Sequence, residues 1–167
     1  MAINVGDLSF AFPEDWQVSQ YDEWAFYRNL FCKMWDGVKG VDVIAIDREA
    51  NIWLIEVKDY RQHPRTEPSD LADEVARKVF CTLAAMLPAK IHANERSEQG
   101  FAKKFIHGQN LRVVLHVEQP AKPSKLFPRS INPEDVQLKL RQTIKPIDPR
   151  PRVVALGQMG NLPWTVQ

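Results

Sequence analysis

The stretch GVDVIAIDREANIWLIEVKDY, residues 40–60, decides the fold. Two apolar runs, residues 41–46 and 52–57, flank Asp47, Arg48, Glu49, Ala50 and Asn51, a segment with the length and polarity of a hairpin loop. They are expected to pair antiparallel. Side chains alternate between the two faces of a strand, so Asp42 falls on one face with Ile44 and Ile46, and Glu56 and Lys58 share a face with Ile52 and Leu54. The opposite faces, with Val41, Val43 and Ala45 on one run and Trp53, Ile55 and Val57 on the other, are apolar too. Strands apolar on both faces are covered on both faces. The expected class is therefore α/β, an α/β/α sandwich with a central mixed sheet.

Working outward, residues 16–21 alternate enough for a short strand, and Trp24, Tyr27, Leu30, Phe31 and Met34 recur at helical spacing over residues 23–34. Beyond the hairpin, Pro64 and Pro68 close a loop, and Ser69 or Asp70 can cap a helix running to about residue 87. Its apolar face is Leu71, Val75, Val79, Leu83 and Met86. Residues 92–108 are polar and mixed and suggest no element. A strand follows at 111–117, with Leu111, Val113, Leu115 and Val117 on one face. Residues 119–132 read as a long loop, with Pro120, Pro123 and Pro128 among Lys122, Lys125 and Arg129. Asn132 as cap and Pro133 at the first helical position start a helix ending near residue 145, and residues 152–156 form a closing strand.

Length and composition bound the functions available. A chain of 167 residues with 44% hydrophobic and 26% charged residues suits one packed domain, 1–167, with a single sheet and its helices. The apolar runs are too short to span a bilayer, and the first dozen residues lack the basic and apolar regions of a secretory signal. A cytoplasmic location is expected. Cys32 and Cys81, far apart and without CxxC spacing, read as buried thiols. The four histidines show none of the spacings of a zinc site, and His116, on a strand face with Arg112 and Glu118, reads as half-exposed. The net charge is +1, yet residues 1–60 hold five basic and eleven acidic residues, whereas residues 61–167 hold seventeen basic and ten acidic. An acidic region able to hold metal beside a basic one able to hold phosphate suits a nucleic-acid partner.

The chemistry lies in Asp42, then thirteen residues, then Glu56-Val57-Lys58. Carboxylates from adjacent strands can converge on Mg²⁺ or Mn²⁺, which take oxygen ligands in near-octahedral geometry. The Val57 carbonyl could add a ligand, and Lys58 would point toward a water or a scissile phosphate. An ion pair of Glu56 with Lys58 is the bland alternative. Charge in an apolar central strand is costly without a partner.

On these residues, GVKGVDVIAID (37–47) followed by NIWLIEVKDY (51–60) resembles the signature of the PD-(D/E)xK phosphodiesterase superfamily, the restriction-endonuclease-like fold. Residues 13–29 and 55–76 resemble a small bacterial group within it, a match that brings no activity. The resemblance implies a helix, a three-strand meander, a second helix and a fourth strand over residues 16–118, extended by the C-terminal helix and strand. By motif position it makes Asp42 and Glu56 the metal-binding acids and Lys58 the catalytic lysine, with Val41 where the motif's name has proline. It adds an acid from the first helix, Glu23 with Asp22 second, and phosphate contacts from Arg77 and Lys78 on the second helix. Glu74 and Lys78, four apart, read first as an exposed helix pair. Arg61, directly after the motif, could touch substrate, and Lys122, Lys125 and Arg129 could hold the phosphate backbone. The implied function is a Mg²⁺- or Mn²⁺-dependent nuclease cutting DNA, as a homodimer or a subunit of a larger assembly. The alternative is a non-catalytic nucleic-acid or protein binding module with a vestigial site.

Overall fold

The computed structural model describes residues 1–126 and 129–167; Pro128 lies outside the described residues. Its framework is a five-stranded mixed sheet of β3 (Gln17–Gln20), β4 (Val43–Ile46), β5 (Asn51–Asp59), β6 (Asn110–Glu118) and β7 (Arg152–Val154), in that spatial order. The hairpin is as read: β4 pairs antiparallel with β5, Val43 opposite Ile55 and Ile46 opposite Ile52. β3 joins β4 antiparallel, while β6 runs parallel to β5 and β7 parallel to β6. The parallel pair β5–β6 needs a crossover, supplied by α2 (Leu71–His92) and α3 (Arg96–Ile106). Residues 92–108, unassigned above, thus contain a helix. Its few apolar contacts, Phe101, Ala102 and Phe105, are too sparse to announce it by periodicity. α4 (Pro133–Ile144) returns over the same face, its Asn132 side chain accepting the Glu134 N–H as cap.

The helix expected over residues 23–34 is broken into a 3₁₀ turn (Tyr21–Glu23), the five-residue α1 (Ala25–Asn29) and another 3₁₀ turn (Phe31–Lys33). Part of the apolar spacing holds: Trp24 and Phe31 are buried and Tyr27 packs against the core, whereas Leu30 and Met34 are exposed. The backbone is held from elsewhere: Glu98 of α3, itself buried, accepts the N–H groups of Ala25 at 2.6 Å and Phe26 at 3.1 Å.

Both sheet faces are covered, by different layers. On one, Ile44, Ile46, Ile52, Leu54, Val113 and Leu115 pack against α2, α3 and α4. On the other, Val43, Ala45, Ile55 and Val114 meet Leu8, Phe10, Phe12, Trp16 and Trp164. That second layer is a small sheet, β1 (Ala2–Val5), β2 (Leu8–Ala11) and β8 (Thr165–Val166), ordered β1-β2-β8. The α/β class and the mixed sheet stand, but the sandwich is corrected: helices cover one face and strands with aromatic rings the other. Trp16 stacks on Trp53 with centroids 5.8 Å apart, and Trp164 meets both edge-on. Such pairs add about 0.5–1.5 kcal/mol each beyond area burial. Among the described residues no helix is long and apolar enough to cross a membrane.

Candidate functional site: a buried ionic cluster

Asp42 immediately precedes β4, and its carboxylate accepts the Val57 N–H of β5 at 2.6 Å. One residue pair beyond Val43–Ile55 in the antiparallel register stand Asp42 and Glu56, so the two acids share the helix-covered face. Across from them α2 presents Glu74, Lys78 and Thr82, four residues apart and therefore stacked on one helix face. The Thr82 hydroxyl donates to the Lys78 carbonyl and accepts the Val41 N–H at 3.0 Å, pinning the helix to the strand.

The charges then alternate. Lys78 Nζ donates to Glu56 Oε1 at 2.5 Å and lies 3.9 Å from Asp42 Oδ1. Lys58 Nζ lies 3.2 Å from the same Glu56 oxygen and donates to Glu74 Oε1 at 2.6 Å, and Arg65 reaches Glu74 Oε2 at 3.2 Å. Glu56 is 1% exposed, and its Oε2 has no hydrogen-bond partner among the described residues. Burial, and then the charge of Asp42, push its carboxyl up to about 7 against the pull of the two lysines. Burial likewise raises Asp42, and burial with the Asp42 charge pushes Asp22 up to about 6. Lys58 is held above the ordinary lysine value by Glu56 and Glu74, against its own burial.

The structure brings Asp42, Glu56 and Lys58 together, and Lys78 joins them. Of the two first-helix acids, Asp22 is the one that feels Asp42, whereas Glu23 is exposed and pairs with Arg28 at 2.6 Å. The 3₁₀ geometry of Tyr21–Glu23 turns Glu23 outward. Val57 enters through its N–H, given to Asp42. The expected Glu74–Lys78 helix pair gives way to Glu74 with Lys58 and Arg65, and Lys78 with Glu56. Ammonium groups therefore stand against the acids expected to converge on Mg²⁺. The three carboxylates Asp42, Glu56 and Glu74 are matched by three cations, Lys58, Lys78 and Arg65. Among the described residues no group of three or more His, Cys, Asp or Glu gathers as a ligand set.

Other readings are amended by local contacts. Arg61 is tied to Asp59 by a bidentate pair, Nε donating to Oδ1 at 2.9 Å and Nη2 to Oδ2 at 2.5 Å. His116 is buried, with its Nε2 2.8 Å from Glu118 and its ring edge-on to Phe10. The β1–β2 layer, which sequence did not assign, is what buries it. Cys32 and Cys81 are half-buried thiols. Arg77, Lys122, Lys125 and Arg129 are exposed.

No protein-family model matches the chain, and no solved structure matches it. The chain is 32% identical over 200 aligned residues to a cysteine–tRNA ligase of Neisseria meningitidis serogroup A. The alignment takes in 95% of this chain but 28% of that protein. This corrects the nuclease. A relative that follows nearly the whole chain is a tRNA ligase, so the DNA-cutting phosphodiesterase and endonuclease activity drawn from the motif is overturned. The motif's spacing survives as structure because a buried acid needs a counter-charge whatever the domain does.

Proposed function

We propose that this chain is an RNA-binding domain related to part of a tRNA ligase, and that its ionic cluster holds the fold together instead of cutting phosphodiesters. The observation that carries this reading is the similarity to a cysteine–tRNA ligase along 95% of the chain. Charge supports it: residues 111–167 hold nine Lys or Arg and four Asp or Glu. Lys122, Lys125, Arg129, Arg141, Lys145 and Arg150 are exposed there, where lysine and arginine can replace counterions along a phosphate backbone. Lys78 and Arg61, engaged with Glu56 and Asp59, are not part of this surface. We further propose that the core from β3 to β6 is of the restriction-endonuclease-like type, which its element order supports, with Lys58 and Lys78 in place of Mg²⁺ or Mn²⁺ beside the acids.

The test is fluorescence anisotropy with labelled tRNA and with double-stranded DNA of similar length. Binding of tRNA that weakens steeply with salt is expected, with tRNA preferred over the DNA. Absence of tRNA binding at low salt would overturn the reading.

A further inference from the structure

Helix α2 presents to solvent a stripe that a helix covering a sheet ordinarily keeps polar. Its exposed positions between Arg77 and His92 are Phe80, Ala84, Leu87 and Ile91, all apolar. Phe80 is 67% exposed, and Leu87 and Ile91 are each 56% exposed. Their spacing of four, three and four is the seam pattern by which two helices pack together. The opposite face of α2, with Val75, Val79, Ala85, Met86 and Ala89, is already buried in the core.

We propose that this stripe is the interface of an antiparallel homodimer, with α2 of one copy lying along α2 of the next about a two-fold axis. The stripe is self-complementary in that direction. With the axis between Ala84 and Leu87, Phe80 of each copy faces Ile91 of the other, and Ala84 faces Leu87, a small residue opposite a large one at the point of closest approach. Arg77 then falls level with the segment just past the other helix's C-terminal end, where Glu95 stands. Arg77 and Glu95 are both exposed, and neither has a salt-bridge partner among the described residues, so the pairing supplies opposite charges at both ends of the seam. Beside the stripe, Leu87 also lines a cleft of about 560 Å³, where Met86, Phe105 and the exposed Ile106 extend the apolar area next to the polar Gln109, Asn110 and Arg112. A seam one helix stripe wide is narrower than a standard interface of roughly 800 Å² per partner, so the dimer is a weak one.

The experiment is sedimentation equilibrium on the whole chain from about 5 to about 500 µM, a span suited to the micromolar affinity of a weak dimer. The average mass of the parent should climb from that of one chain toward that of two. Leu87→Glu, at an exposed position, should hold the mass at one chain with its circular dichroism unchanged. Arg77→Glu should weaken association several-fold, and Arg77→Glu combined with Glu95→Arg should restore it. The proposal is overturned if the parent stays monomeric throughout, or if Leu87→Glu associates like the parent. It is equally overturned if the double charge reversal is no tighter than the single one, because an end-to-end Arg77–Glu95 contact is what the antiparallel arrangement requires.

Discussion

Glu56 and Lys78 meet at 2.5 Å in the middle of the ionic cluster. An ionised carboxylate at 1% exposure is tolerable only beside cations, and removing one partner of a buried pair typically costs about 3–5 kcal/mol. Lys78→Met should destabilise the protein at pH 8 by about 3 kcal/mol, the lower end of that range because Lys58 remains 3.2 Å from the same oxygen. The cost should shrink at pH 5, where Glu56, whose carboxyl is pushed up to about 7, takes a proton. Urea unfolding of parent and variant at both pH values measures the difference. The same residue gives a second expectation. A carboxyl raised from 4.5 to about 7 on folding contributes stability that is present in full below the unfolded value and lost as pH rises through the folded one. Glu56→Gln lacks that titration. The stability of the parent relative to Glu56→Gln should therefore fall between about pH 4.5 and about pH 7; a difference that stays flat or rises would show that Glu56 remains ionised throughout.

At the scale of elements, sequence was most informative where a residue's partners lie nearby in the chain. The β4–β5 hairpin, the Asp70 cap of α2 and the Asn132–Pro133 start of α4 follow from local pattern, and all three are present. What sequence missed depends on distant partners. β1 and β2 are sorted against the far face of the sheet together with Trp164, and α1 is capped by Glu98, more than seventy residues away. The site divides in the same way. Asp42, Glu56 and Lys58 were legible from strand alternation, while Glu74, Lys78 and Thr82 at successive helical turns were a visible signal of a polar face laid over the sheet. Which cation meets which acid was not legible, because it depends on the rotation of α2 over β5. Packing at the junction yields a further expectation. Gly40, just before Asp42, has no room for a side chain: a Cβ there would run into the Tyr21 ring, buried against Trp24 and Tyr27. Its N–H also donates to the Tyr27 hydroxyl at 3.0 Å. Gly40→Ala should cost about 1–3 kcal/mol through overpacking, measured by chemical denaturation, whereas Gly100→Ala, at a position with open space for a Cβ, should be neutral or slightly stabilising because alanine is the better helix former.

For the whole molecule, the proposed RNA binding raises the question of where a chain of net charge +1 gathers enough positive surface. Part of the N-terminal acidity is withdrawn from solvent or neutralised internally: Asp42 and Glu56 face lysines, Asp59 faces Arg61, and Asp47 accepts hydrogen bonds from Asn51 and Trp53. The exposed basic residues of the C-terminal third are not offset in that way. The loop between β6 and α4 is anchored at its base, where the Gln119 side chain exchanges two hydrogen bonds with the Ile131 backbone. Lys122, Lys125 and Arg129 are exposed within that closed base. Prolines at 120 and 123 restrict the chain between them, so less entropy is lost when phosphates are bound. Replacing Lys122, Lys125 and Arg129 together by glutamine should weaken tRNA binding and lower the slope of log affinity against log salt by up to about three counterions, the number of charges removed. Its melting temperature should match that of the parent, since none of the three is part of the core. Unchanged affinity at two salt concentrations would place the RNA contacts outside the loop and leave the loop a connector. A lower affinity with an unchanged slope would mean that the loop acts through its shape and not its charge.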